Sequence, residues 1–382
     1  MAHKTTTQEE LYRRETLYMA FELSKKNWRV LSSAGGVKNY SAMMTPGNAK
    51  ELTEIVIRAR KKFGLTEDSR VLSCIEAGRD GFWPHRFLLQ NGIESLVIDA
   101  ASMKVSRHRR RAKTDRIDAQ QLLADLVRFD QGDKDVWRVV HAPTAEDEDH
   151  RHFHRELEQL KKERTQHRNR LRCILATEGV KIPGSLMKAL SNLDSLRNWN
   201  GDALSKTMLW RLERKVQRLI FVEKQIREIQ QHQVQCVKNP ATPKLEKITK
   251  LNTLRGIGVT SSWILVMESL GWKKFRNRKE VGGSVGLGGT PYNSGQMDRE
   301  QGISKAGNAR VRATLVELAW MWMRYQPNSD ITKWFEKRYA GQSKRMRRIG
   351  LVAVARRLMI ELWHFLEHDV DPPGAIINKK PA

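Results

Sequence analysis

The sequence predicts an α/β domain followed by an all-α remainder, and three observations carry that expectation. Short apolar runs bounded by turn residues fill the first third of the chain and then alternate with helical periods. From Glu146 onward, apolar residues recur at three-and-four spacing along charged stretches. At 382 residues the chain has room for two or three domains with at least one sizeable core.

Residues 16–23 (TLYMAFEL) and 27–33 (NWRVLSS) read as two strands around the turn-like Ser24-Lys25-Lys26, with a third near 38–44. Pro46 and Gly47 then open a helix whose Leu52, Ile55, Val56, Ala59 and Phe63 keep the helical period. A strand at 70–75 (RVLSCI) ends in Glu76, and a helix near 82–90 and a strand at 95–98 (SLVI) follow. Hairpin strands first and alternation afterwards describe a mixed sheet. Residues 146–177 and 202–236 read as long helices. Leu209, Leu212, Val216, Leu219, Ile226 and Ile229 form a coiled-coil stripe in the second, with Glu223 as its polar interruption.

His150, His152 and His154 alternate, but such residues point apart on a helix, so they are expected to face solvent or phosphate rather than a metal. After Pro240 and Pro243, LNTLRGIGVTSSWILVM has the helix–glycine turn–helix pattern. There the backbone N–H groups of Gly256 and Gly258 can approach a phosphate, although an ordinary helical hairpin uses the same glycines. A glycine-rich passage and a charged loop come next, then a helix expected to start at Lys305 with Ser304 as its cap. Trp320, Trp322 and Trp363 are expected in the core, the last on a helix over 347–366. The implied division is 16–140, 145–238 and 244–367, with 1–15 and 368–382 as flexible tails.

The net charge is +26, from 69 Lys+Arg against 43 Asp+Glu, and it is spread along the chain. Such an excess implies a polyanion, nucleic acid before membrane, because no apolar run reaches about 18 residues. The start, MAHKTTTQEELYRRE, has no apolar export region, so a cytoplasmic, nucleoid-associated protein is expected. Three scattered cysteines fit a reducing compartment and are expected to be buried or half-buried.

Between Lys104 and Asp118 the chain reads KVSRHRRRAKTDRID, a basic run that meets two aspartates three apart. Arg107, Arg109, Arg110, Arg111 and Lys113 suit a phosphodiester backbone. Asp115 and Asp118 share one face of a helix, where they fit either a helix start or a divalent-metal site. Glu22 and Glu76 each end a strand. In an open sheet such residues and the following helix starts converge at one edge, where four carboxylates can hold two Mg²⁺ ions about 4 Å apart.

The ordered set of an acid ending the first strand, CIEAGRDG, KTDRIDAQQLL, LRGIGVTSSWIL and YNSGQMDREQGISKAGNARVRATL resembles the DEDD-type insertion-sequence transposases. These are relatives of the Piv and MooV invertases and are understood as bridge-RNA-guided recombinases. The resemblance spans residues 16–366. It implies a RuvC-like domain with an RNase H-type sheet, a coiled-coil insertion and a mainly α C-terminal transposase domain.

Carried over by residue, the metal-binding tetrad is Glu22, Glu76, Asp115 and Asp118, and the nucleophile is Ser294. Lys305 and Asn308 lie in the "SK-GN" element and Arg310 and Arg312 just after it; all four are expected to bind nucleic acid, the three cations by neutralising phosphate. The family has aspartate where this chain has Glu22, which is longer by one methylene, about 1.5 Å. The resemblance further implies Mg²⁺ (or Mn²⁺ in its place), donor and target DNA, a structured guide RNA, a dimer or tetramer of this chain, and no membrane. Two other readings stand beside it: a RuvC-like nuclease that uses water on branched DNA, and an inactive nucleic-acid-binding protein.

Overall fold

The chain divides at Pro143 and Thr144 into two compact units. A computed structural model describes residues 16–99, 102–103, 115–182, 185–294 and 297–378, with the side chains of 115–118, 291–294 and 297–301 outside the description.

The first unit is a six-stranded sheet in the order β3-β2-β1-β4-β5-β6. Its strands are β1 (Thr16–Glu22), β2 (Trp28–Ser33), β3 (Tyr40–Met44), β4 (Arg70–Glu76), β5 (Glu94–Ile98) and β6 (Val139–Val140). The pairs β1–β4 and β4–β5 are parallel and the others antiparallel. Both faces are covered, so β1 and β4 are buried almost continuously. Leu17, Met19, Phe21, Val71 and Ile75 pack under α1 (Ala49–Phe63) and α2 (Trp83–Gln90). Tyr18, Ala20, Leu72, Cys74 and Ile98 pack under α3 (Asp115–Asp130) through its Ala119, Leu122, Leu123 and Leu126. The expected mixed sheet is present; the two-residue β6 is an addition to it.

The second unit begins with α4 (Ala145–Thr177), capped by Thr144, whose hydroxyl accepts from the Asp147 N–H. It pairs with α6 (Lys206–Lys238). Leu157 and Leu160 meet Val222 and Ile226, while Leu171, Ile174 and Leu175 meet Leu212, Val216 and Leu219, an order that makes the helices antiparallel. Glu223, the polar break in the stripe, accepts from Arg168 at 2.7 Å. The short α5 (Leu186–Leu190) and residues to Leu204 close the end of the pair. Gly179 there has φ +66°, and a Cβ on it would come within 2.5 Å of the Trp199 Cβ.

The largest core gathers α7 (Pro243–Asn252), α8 (Val259–Leu265), a π-helical turn Val266–Leu270 and α9 (Arg278–Ser284). It also takes in α10 (Ala309–Tyr325), α11 (Asp330–Tyr339) and α12 (Lys344–Glu367). The hairpin of β7 (Gly289–Ser294) and β8 (Met297–Ile303) lies between α9 and α10.

Several expectations change. The glycine-rich passage and charged loop are a helix and a β-hairpin rather than loops. Asn308, not Ser304, caps α10: its Oδ1 accepts from the Arg310 N–H at 2.9 Å, while Lys305 sits at φ +56°. Trp322 is buried but Trp320 is 55% exposed, since residues two apart lie on different sides of a helix. Cys173 is exposed rather than buried. The segment up to Asn378, expected to be a tail, is paired: Ile377 bridges Leu254, and the Arg255 N–H donates to the Ile376 carbonyl at 3.1 Å. Fully buried Gln326 holds it there, accepting from the Ile376 N–H at 2.6 Å and donating to the Arg255 and Ile376 carbonyls.

His154 is buried rather than solvated, and its partner is Glu268 on the π-helical turn, 2.8 Å away. Arg155 donates to both Glu268 oxygens at 2.9 and 3.2 Å, and the Asn308 amide donates at 2.9 Å. Burial alone raises a carboxyl pKa. Here the hydrogen bonds and charges of His154 and Arg155 outweigh it and hold Glu268 far below the usual carboxylate range. One side chain thus ties α4, the π-helical turn and the start of α10.

Replacing Glu268 by Ala strands a buried histidine and an arginine and is expected to cost about 3 kcal/mol in urea unfolding at pH 7. A depressed folded pKa gives stability that is present above about pH 4.3 and lost as the pH falls toward the folded value. The gap between wild type and Glu268→Ala should therefore narrow on acidification below pH 4.3; a gap constant with pH would contradict the ionised assignment. In the first unit, Asp130→Ala removes the acceptor of Tyr18 and one of the two acidic partners of Arg70, which keeps Glu94. Urea unfolding should show a loss of about 1–3 kcal/mol.

Candidate active site

The parallel register of β1 and β4 ends at Phe21 opposite Ile75, so Glu22 and Glu76 follow as the last residues of neighbouring strands. Side chains alternate along a strand. Glu22 has the parity of Tyr18 and Ala20, and Glu76 that of Leu72 and Cys74, all four of which pack under α3. The two carboxylates therefore end at one edge and on one face, Glu22 half-buried and Glu76 exposed. Asp99, just past β5, has the parity of Val97, which packs on the opposite face, so it does not join them.

The direction of α3 is fixed by two contacts. At its C-terminal end Asp130 accepts from the Tyr18 hydroxyl at 2.8 Å and from Arg70 at 2.9 Å. Burial, then the hydrogen bond to Asp130, pushes the Tyr18 pKa up to about 12, so the phenol stays a donor. Eight residues back, the Leu122 carbonyl lies 3.8 Å from the Cys74 Sγ. Those eight helical residues span about 12 Å. The four strand residues from Arg70 to Cys74 span about 13 Å, so helix and strand run antiparallel at matched rise.

Extending both by the same rule, Asp118 lies four residues (about 6 Å) beyond Leu122, and Glu76 two residues (about 6.6 Å) beyond Cys74. The first turn of α3, which contains Asp115 and Asp118, is directed toward the edge where Glu22 and Glu76 end. Arg107, Arg109, Arg110, Arg111 and Lys113 lie outside the described residues. The oxygen donors that are described, Glu22 and Glu76, are of the hard type that suits Mg²⁺ or Mn²⁺.

Ser294 belongs to the second unit, where it ends β7 opposite Met297. Gly256 turns the chain between α7 and α8 at φ +93°, and a Cβ there would meet the Tyr325 Cβ at 3.2 Å. Its glycine has a packing reason. Gly258 begins α8, is exposed, and has open space where a Cβ would stand.

Of the four polar residues assigned to nucleic acid, three have internal duties. Asn308 caps α10 and binds Glu268. Arg312 donates to the Val285 and Lys305 carbonyls, holding the left-handed Lys305 turn. Arg310 pairs with Glu158 at 2.7 Å across a pocket also lined by His152, Arg155 and Lys162. Only Lys305 of the four, among the described residues, has a side chain with no such partner. Sequence reasoning passed over Glu268; its one signal is an acid within the apolar run WILVMESLGW.

Comparison with known proteins accounts for both units. Residues 23–178 match a DEDD-type transposase family model, starting one residue after Glu22 and including Glu76, Asp115 and Asp118. Residues 248–334 match the model of the transposase IS116/IS110/IS902 family, a span that includes Ser294. The chain is 34% identical to y4rJ of Sinorhizobium fredii, a protein named as a transposase, over 95% of this chain and 94% of that one. It is 26% identical to a second such protein of that organism, y4qE, over 72% of this chain and 65% of that one. No described helix is long and apolar enough to cross a membrane. The chain belongs to the IS110 family of insertion-sequence transposases.

Proposed function

We propose that this transposase moves its insertion sequence by cutting and rejoining DNA at a site made from Glu22, Glu76, Asp115, Asp118 and Ser294. The observation that carries the reading is the meeting of Glu22 and Glu76 on the face and edge toward which α3 directs its first turn. Paired hairpin strands followed by parallel ones, in the order β3-β2-β1-β4-β5, support an RNase H-type, RuvC-like assignment.

The four carboxylates would hold Mg²⁺ or Mn²⁺. Such an ion, when bound, lowers the pKa of an attacking hydroxyl and neutralises a leaving oxygen. Ser294 Oγ attacks the scissile phosphorus as its proton passes to solvent, and the P–O bond to the 3′-oxygen breaks, that oxygen taking up a proton from solvent to leave as a 3′-hydroxyl. The strand is then joined to Ser294 as a phosphodiester. Attack by the 3′-hydroxyl of another strand reverses the step and frees the serine, so rejoining needs no external energy.

The acids lie in the first unit and Ser294 in the second, which is consistent with a site completed between copies in a dimer or tetramer. The antiparallel α4–α6 pair, read as a coiled coil, suits such assembly. The Gly256–Gly258 turn, read as a helix-hairpin-helix element, suits a phosphate contact at Gly258. A structured guide RNA that pairs with donor and target would leave sequence reading to bases and shape reading to protein. The charge of +26 is in keeping with two nucleic-acid partners.

Labelled supercoiled donor and target DNA, Mg²⁺ and candidate RNA provide the test on denaturing gels. Wild type should give a covalent protein–DNA adduct and joined product. Ser294→Ala should abolish both, and Asp118→Ala should reduce them by at least about a hundred-fold. Cutting that survives Ser294→Ala would point to water as the nucleophile, and processing that survives both substitutions would refute the site.

A further inference from the structure

The second family match ends within α11, at residue 334, and α12 lies beyond both matches. α11 and α12 are joined by four residues, 340–343, that include Gly341. The turn is closed by the Gln342 N–H donating to the Tyr339 carbonyl at 3.1 Å and by Ser343, whose hydroxyl caps α12 at the Met346 N–H. The helices approach closely because α12 has Gly350 at the contact. A Cβ there would lie 2.7 Å from the Tyr339 ring and 2.9 Å from the Phe335 ring. A short glycine-containing turn between two tightly packed helices is the frame of a helix-turn-helix.

Before Gly350, α12 stands free. Lys344, Arg345, Met346, Arg347, Arg348 and Ile349 are all exposed, although six consecutive helical residues point in every direction. The free end is therefore about 9 Å of helix that no other described part of the chain covers. None of its four cations has an ion pair or side-chain hydrogen bond among the described residues. No acid stands in that first turn. Cations at a helix start oppose the helix dipole, an unfavourable arrangement that an anion would relieve. Lys333, Lys337 and Arg338 are exposed on α11 beside the turn. Met346 and Ile349, 39% and 48% exposed, put apolar groups among the charges.

We propose that α11, the turn and α12 form a helix-turn-helix unit that seats the N-terminal end of α12 in the major groove of duplex DNA. This rests on the reading that the transposase handles DNA. A bare helix is about 10–12 Å across, which fits the roughly 12 Å major groove of B-form DNA. The major groove of A-form RNA is too deep and narrow to admit it. Arg345, Arg347, Arg348 and Lys344 reach phosphates and guanine edges, and Met346 and Ile349 meet thymine methyl groups. Lys337 and Arg338 hold the flanking backbone, as the first helix of such a unit does.

The full chain tests this with a fluorescein-labelled duplex DNA in EDTA, where no strand is cut, so failure of the serine and carboxylate chemistry leaves the measurement intact. Arg345→Glu with Arg348→Glu should weaken binding by at least about ten-fold at 0.1 M salt and lower the salt slope by about two. Because acids suit a helix start, the unfolding midpoint should stay level or rise. Arg345→Gln with Arg348→Gln should act in the same direction on affinity with a smaller charge change. The proposal is overturned if affinity is unchanged. It is equally overturned if Lys50→Glu with Lys61→Glu on α1 weakens binding as much, or if binding to an RNA duplex of the same sequence falls to the same extent.

Discussion

The site depends on one packing relation: α3 lies along the Tyr18–Ala20–Leu72–Cys74–Ile98 face of the sheet and runs against β1 and β4. A helix can cover an apolar face in either direction. What selects the direction is polar: Asp130 at the last turn is held by a phenol and a guanidinium that come from the first residues of β1 and β4. With the tail of the helix fixed to the start of the strands, its first turn is sent to their ends, where Glu22 and Glu76 are. Reversed, the same apolar contacts would separate the carboxylates by the length of the helix, about 24 Å for sixteen residues.

A second polar tie organises the other unit. Glu268 sits in a π-helical turn where all five residues are buried, and each of its oxygens has a donor from a different stretch of chain. Burying a carboxylate is costly unless it is paired and hydrogen-bonded. The cost is offset here only when α4, the turn and the Asn308 cap are simultaneously in place. This makes the start of α10, which follows the hairpin carrying Ser294, dependent on the long α4–α6 pair. Asn308 and Arg312 are therefore better understood as holding the loop than as touching DNA.

Much of this was legible. Strands β1 to β5 show as apolar runs between turn residues, and the parity of Glu22 and Glu76 follows from counting back to Ala20 and Cys74. The hairpin of β7 and β8 was not, because GTPYNS and MDREQGI contain little apolar alternation and a proline inside a strand. Nor could the cap of α10 be placed. Ser304 and Asn308 both fit the chemistry of a cap, and the choice is made by Gly307 at φ +90°, where a Cβ would meet the Ser284 carbonyl at 2.0 Å. The spacing rule rightly parted the three histidines, yet it could not say that His154 would find an acid 114 positions away.

The same electrostatic rule separates structural charges from those left for a partner. In α1, Glu51 stands in the first turn and Arg60, Lys61 and Lys62 in the last, as the dipole favours. In α4, Glu146, Asp147 and Glu148 occupy the first turn. These helices satisfy their own ends. α12 does the reverse, with four cations at the positive end of a 24-residue helix and none of them neutralised among the described residues. α10 also opens on cations, Arg310 and Arg312, with no acid in its first turn, but those two are occupied within the chain, by Glu158 and by the Val285 and Lys305 carbonyls. The reversal at α12 is therefore a cost kept for an anion that arrives from outside, and the groove of the DNA that a transposase must hold supplies one.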